Sequence, residues 1–406
     1  MRRVSVSYGG RTAELELPED RLIGVRSMPA GLDAGAIRGM TRTALESPVD
    51  YPALRSSVVP GDRVTIGSDL RRPLDRLVLD EVVATLREAE VGSIVVVGPE
   101  SAGVDLPEGV GFAQHRPTNR EELAYLASTQ AGDRVYLNRE LAEADFVILM
   151  SEVGHDGRGR ETGPWSLLSP GLADPEALVR RRTSAASSDD CDEIAWLLGY
   201  PFQIGLIPGG AGPLEVHAGA AGRLRESTRE RIGEIGRFTL PEEADLVIAS
   251  LGDASVPADW SQFAAALDAA ARLVRRGGRV VLLSDLAVAP GAALGRIASA
   301  RDLHRSGGLL RGRESEPDWP AAEAIARLSS HADLFLLADL DHGLIDDIGL
   351  FPLESPAQAA RLAREAHSCV VIERAELLEV DLLADSSNDP DDPTARRTLG
   401  SAERLR

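Results

Sequence analysis

The sequence predicts an α/β protein of two αβ domains with largely parallel sheets. Three observations predict it. Short runs rich in Val, Ile and Leu recur along the chain, separated by helix-like stretches. Those runs are apolar on both faces, as strands buried inside a parallel sheet are. Finally, Glu143-Ala-Asp-Phe-Val-Ile148 recurs as Glu243-Ala-Asp-Leu-Val-Ile248, each a polar helix end, a strand, then a loop with glycine. Two domains of similar plan produce such an echo. Chance does too, because the hexamer is a common way into a buried strand.

In chain order the expected strands are Val64–Gly67, Ser93–Val97, Phe146–Met150, Phe202–Ile207, Leu246–Ser250, Val280–Leu283, Leu334–Leu337 and Val370–Ile372. Helical spacing marks Leu77–Ala89 and Gln262–Arg275, the second stopping at Gly277-Gly278. The stretch from Phe202 to Ala218 reads as a hairpin turning at Gly209-Gly210-Ala211-Gly212. The domain boundary falls near residues 225–245. This gives one domain over 1–240, a second over 241–383, and a polar tail over 384–406 with the composition of a disordered segment.

Composition narrows the function. The 406 residues are 43% hydrophobic, enough for two cores, but only 4% aromatic, so those cores are aliphatic. A net charge of −20 opposes binding to nucleic acid or anionic membranes. No apolar run approaches the roughly 18 residues of a membrane span, and the first residues lack the apolar core of a signal peptide. Cys191 and Cys369 form no CxxC pair and read as buried thiols in a reducing compartment, with the cytoplasm as the default. All 44 basic side chains are arginine. Codon bias accounts for such a count, yet it has a chemical consequence. Arginine stays protonated, so a lysine Schiff base, general base or tethered cofactor is excluded.

Three polar groups fall where strands end, the edge at which open α/β sheets bind ligands. Gly67-Ser-Asp-Leu-Arg-Arg-Pro73 offers Arg72 as a fork for a carboxylate or phosphate. On spacing alone, an arginine paired with Asp69 or Asp75 on the surface is the plainer reading. Gln114-His-Arg-Pro-Thr-Asn-Arg-Glu121 contains a capping box, Thr118 to Glu121, that would open a helix just after His115 and Arg116. Ser151-Glu-Val-Gly-His-Asp-Gly-Arg-Gly-Arg160 places His155 in a glycine-rich loop. Each histidine can serve as acid or base near neutral pH, or simply lie in a solvated loop. Gly209–Gly212 lacks the Gly-Lys-Ser/Thr of a phosphate loop, no HxH or HExxH suggests a metal site, and there is no Gly-x-Ser-x-Gly elbow.

Taken together, residues 4–375 resemble the nickel-dependent lactate racemase (LarA-like) family. The resemblance rests on Tyr8-Gly9, Ser68-Asp-Leu-Arg-Arg-Pro73, His115-Arg-Pro-Thr with Glu121, the strand leading to His155, and Ser169-Pro-Gly171. It implies an interdomain cleft in which 2-hydroxy acids such as lactate are interconverted by hydride transfer on a nickel-pincer nucleotide. By the same resemblance His115 and His155 are the two catalytic bases, Arg72 holds the substrate carboxylate, and Asp69, Arg116 and Thr118 join it in binding substrate. The departures matter as much. The tethering lysine before the Ser-Pro-Gly turn is replaced in Gly163-Pro-Trp-Ser-Leu-Leu-Ser-Pro-Gly171, where Trp165 or Ser166 takes its place. The nickel histidine gives way to Arg182, which is no metal ligand and becomes an anion-binding candidate. A substrate-holding lysine and glutamine are absent from Pro317–Glu323.

Two functions follow as expectations. One is a hydroxyacid racemase or epimerase with its pincer held non-covalently. The other is a metal-free pseudoenzyme, or a binding protein for a small carboxylate or nucleotide. An unrelated α/β enzyme is a third, remoter reading. The expected partner is a small carboxylate or hydroxyacid, with no nucleic acid, no membrane and no assigned oligomeric state.

Overall fold

The structure is a computed structural model describing residues 1–99, 106–156, 160–183, 189–253, 255–298 and 308–383. The 384–406 tail expected to be disordered lies outside the described residues. Among those described, no helix is long and apolar enough to cross a membrane.

Two six-stranded sheets organise the chain. The first runs in the order Pro213–Gly219, Phe202–Pro208, Phe146–Glu152, Arg63–Ser68, Ser93–Gly98 and Gly111–Gln114. All its pairings are parallel except the edge hairpin of Phe202–Pro208 with Pro213–Gly219. Helices Ala34–Glu46 and Arg76–Glu88 pack on one face, over Ile66, Ile148, Phe202 and Ile204. Val97, Leu149, Leu167 and Leu172 fill the other. The second sheet is parallel throughout: Phe351–Pro352, Ala332–Leu337, Val274–Leu283, Ala244–Ser250, Cys369–Ile372 and Leu22–Arg26. The two copies of the hexamer echo lead into Phe146–Glu152 and Ala244–Ser250, each an interior strand of its sheet. All eight strands expected from apolar runs form, seven within two residues of their expected bounds and Val280–Leu283 as the end of the longer strand Val274–Leu283.

The N-terminus departs from a division at residue 240. Leu22–Arg26 is an edge strand of the second sheet, and the hairpin Arg2–Tyr8 with Arg11–Leu17 packs Val6, Leu15 and Leu17 against Leu246, Ile248 and Val371. Gly9 turns that hairpin at φ 54°, and a Cβ there would lie 2.2 Å from Asp285 Cγ. Only glycine fits such an approach without strain.

Two local expectations are corrected. The helix expected over Gln262–Arg275 spans Trp260–Ala271, because Asp259 caps it earlier by accepting from the Ser261 and Gln262 amides. Leu273 and Val274 are drawn into the core, so a strand starts before Gly277-Gly278 and the glycines sit in a slip of its register. Likewise, Thr118 opens no long helix. Asn119 caps a single turn, Arg120–Glu122, and the chain continues as the hairpin Leu123–Ser128 with Arg134–Asn138.

Candidate functional site

A cleft of ≈ 650 Å³ opens between the two sheets' lobes. Its walls come from the carboxyl ends of strands in both, the place where this class of sheet presents ligand groups. Asp69 and Arg72 follow Arg63–Ser68, Ser151 and Glu152 end the neighbouring strand, and His155 lies just beyond on a two-residue strand. From the other lobe come Asp253 after Ala244–Ser250, Asp259 at its helix start, and Arg374 after Cys369–Ile372.

Arg72 is buried, not paired on the surface as spacing alone suggests. Its Nε donates to Asp75 Oδ2 at 3.2 Å and its Nη1 to the Gly209 carbonyl at 3.3 Å. Nη1 also lies 3.9 Å from Asp253 Oδ2, and Nη2 forms a close ion pair with Glu152. Arg374, equally buried and at φ 54°, donates from Nε to Glu376 Oε1 at 2.7 Å, and from Nη1 to the Gly210 carbonyl at 2.8 Å and Asp253 Oδ2 at 3.3 Å. The turn Gly209–Gly212 thus receives an arginine from each lobe on successive carbonyls. Burial disfavours the Asp253 carboxylate, but the Ser255 hydroxyl and amide with Arg374 and Arg72 outweigh it and hold the group below its ordinary range. Burial wins at Asp75, whose carboxyl is raised despite Arg72.

Asp69 accepts from the Ser151 hydroxyl at 3.0 Å. Burial pushes its carboxyl up to about 6, against the Ser151 hydrogen bond and the charge of Arg71. Arg71 itself crosses the cleft to Asp259 at 2.9 Å. In all, seven carboxylates and four guanidiniums line the cleft.

The remaining expected site residues sit elsewhere or are occupied. His155 lines the cleft with Arg72 and Asp69, whereas His115 does not. His115 is buried at the end of Gly111–Gln114, with Nε2 3.0 Å from the Ala173 carbonyl and Nδ1 3.3 Å from the Asn138 amide nitrogen. The carbonyl can only accept, so Nε2 carries the proton and Nδ1 accepts from Asn138. Burial lowers its pKa, which keeps the ring neutral. Arg72 and His155 thus line one cleft, and His115 is not among its lining residues. Arg116 is exposed and pairs with Glu122 at 3.0 Å, and Thr118 is exposed. Arg182 does line the cleft, but its guanidinium donates to the Glu314 and Glu316 carbonyls and lies 5.6 Å from the Trp319 ring. It clasps the second lobe instead of offering an open anion site.

Sequence reasoning missed Glu152, Asp253 and Arg374. The hexamer echo could have found the first two, since Glu152 ends the strand that the first copy enters and Asp253 lies in the loop after the strand of the second. Nothing in the spacing marks Arg374.

The residues present do not fit a tethered, histidine-liganded nickel pincer. Trp165, at the tether's place, is buried with the Arg225 guanidinium 4.7 Å from its ring centre. The Ser166 hydroxyl closes on Gly163 at 2.9 Å. Among the described residues, no group of three His, Cys, Asp or Glu side chains is arranged to hold a metal ion. Both thiols are buried, and Cys369 is pushed up to about 12 by that burial.

Comparison with known proteins places this architecture. Residues 99–189 match the family model described as the lactate racemase N-terminal domain. The chain is 21% identical to a lactate racemase from Thermoanaerobacterium thermosaccharolyticum, with 89% of this chain and 94% of that protein aligned. Its fold is similar to that of the lactate racemase apoprotein from the same organism, at a TM-score of 0.75 and 19% identity over 93% of this chain and all of that one. A protein from Thermotoga maritima shares the fold at a TM-score of 0.62 and 13% identity, over 88% of this chain and all of that one.

Proposed function

We propose that the chain, similar in sequence and fold to lactate racemases, is a divergent member of that family that binds a small carboxylate-bearing ligand without a tethered nickel pincer. Arg72 carries the reading. It is a buried guanidinium in the cleft wall, and one of its neutralising partners, Glu152, is 35% exposed. A ligand carboxylate can take the place of Glu152 on the fork while Asp75 and Asp253 stay fixed behind. Ser151 and Asp69 then stand beside the ligand's second carbon, and His155 is the cleft histidine able to take up or return a proton there.

The family reading at its fullest is a 2-hydroxyacid racemase or epimerase with a nickel-pincer nucleotide held non-covalently. The shared cleft of Arg72, Asp69 and His155 favours it. The absence of lysine and the occupied Trp165 and Arg182 positions favour a metal-free binding protein. A nucleotide remains the alternative ligand to a simple carboxylate, and the cytoplasm the proposed compartment.

Calorimetry with lactate and with Ni²⁺ on the purified chain tests the proposal. Carboxylate binding that weakens with salt and is lost in Arg72→Met supports it. Stoichiometric nickel binding that depends on histidine, or a pincer-mass adduct surviving denaturation, restores the racemase reading.

A further inference from the structure

The charge balance of the cleft constrains its ligand beyond the carboxylate. Seven carboxylates and four guanidiniums line it; Asp156 is paired with Arg160 outside that lining, which leaves six carboxylates to four guanidiniums, and the buried guanidiniums already have partners. Two buried carboxylate oxygens on the walls, Asp75 Oδ1 and Glu376 Oε2, receive no hydrogen bond among the described residues. Asp69 has only the Ser151 hydroxyl as a side-chain donor there. A ligand carboxylate that displaces Glu152 from Arg72 adds one negative charge and releases a second in the cleft that Asp69 also lines. Asp69 and Glu152 both line this cleft, and Ser151, whose hydroxyl donates to Asp69 Oδ2, directly precedes Glu152 on its strand. A purely anionic hydroxyacid leaves that charge uncompensated in a partly desolvated site, where unpaired charge is costly.

We infer that the ligand is a zwitterion, a 2-amino acid whose carboxylate takes Arg72 and whose ammonium lies between Asp69 and the displaced Glu152. This rests on the carboxylate-binding reading of the cleft and names the ligand class. An ammonium one carbon from the carboxylate supplies three donors where the cleft offers acceptors. It also leaves the net charge of the site unchanged on binding.

Calorimetry on the full chain at neutral pH with three matched pairs tests it: alanine and lactate, phenylalanine and phenyllactate, glutamate and 2-hydroxyglutarate. Within each pair only the substituent on the second carbon differs. The amino acid is expected to bind about tenfold tighter than its hydroxy partner, the difference between a charged and a neutral hydrogen bond. Asp69→Asn should erase that preference by weakening amino-acid binding more than hydroxyacid binding, and Glu152→Gln, on a different strand, should reduce it. Hydroxyacids binding as well as or better than the amino acids overturns the zwitterion and leaves the carboxylate reading standing. No binding by any of the six compounds overturns both. A preference unmoved in both variants overturns the placement of the ammonium.

Discussion

Arg72 and Arg374, more than three hundred residues apart, converge on one oxygen: Asp253 Oδ2 lies 3.9 Å from the first and 3.3 Å from the second. The three side chains are buried and come from both lobes. Removing one member of such a network strands the others' charges. Arg72→Met should therefore destabilise the protein by about 3 kcal/mol, and Asp253→Asn should shift the thermal midpoint in the same direction. Denaturant unfolding measures both. A variant as stable as the parent would show that the network is not held in solution.

Glu152 occupies the fork a ligand carboxylate needs. Glu152→Gln removes a charged competitor, so hydroxyacid affinity should rise about tenfold. Titration of lactate against both proteins reads this directly, and an unchanged affinity would mean that Arg72 is not the carboxylate's partner.

Asp69 gives the cleft a pH signature. Its folded value of about 6 lies above the ordinary carboxylate value of 3.8, so folding favours the protonated form. That contribution is fully present below pH 3.8 and is lost as pH rises through about 6. The parent should lose thermal stability relative to Asp69→Asn across that window. Asp268, also raised to about 6 by burial, titrates in both proteins and cancels in the comparison.

The two histidines should separate by phenotype. His115 is buried with both nitrogens bonded, so His115→Ala should cost about 2 kcal/mol of stability from lost packing and an orphaned carbonyl. His155, only partly buried, should tolerate alanine in the fold and show its loss in proton exchange at the second carbon of a bound ligand. Ligand deuterium exchange followed by NMR distinguishes them.

Arg182 tests the clasp between lobes. Its donors end on the Glu314 and Glu316 carbonyls beside Trp319. Arg182→His shortens the side chain and removes the fork, so limited proteolysis between the lobes should accelerate. Cleavage at the parental rate would argue that the other crossings, such as Arg71 to Asp259, suffice.

The buried strands were legible because a parallel strand covered on both faces can only be apolar, as in Phe146–Glu152 and Ala244–Ser250. Local turns were read less well. Thr118 and Asn119 are both competent caps, and which one acts depends on the strand that follows. The cleft was half legible. Asp69, Arg72 and His155 stand in strand-end loops that announce themselves, while Arg374 owes its place to a left-handed backbone residue after an ordinary strand. His115 looked reactive because its burial depends on Ala173 and Asn138, distant in sequence.

The edge strand Leu22–Arg26 pairs with Cys369–Ile372, so the second lobe is assembled from both ends of the folded chain and the first is spliced into it. During synthesis the strand Leu22–Arg26 leaves the ribosome some three hundred and forty residues before its partner strand exists. The inserted lobe can fold in the meantime as a continuous unit. The host lobe closes last, and its docking onto a finished neighbour is the step at which the cleft and its shared carboxylate come into being together.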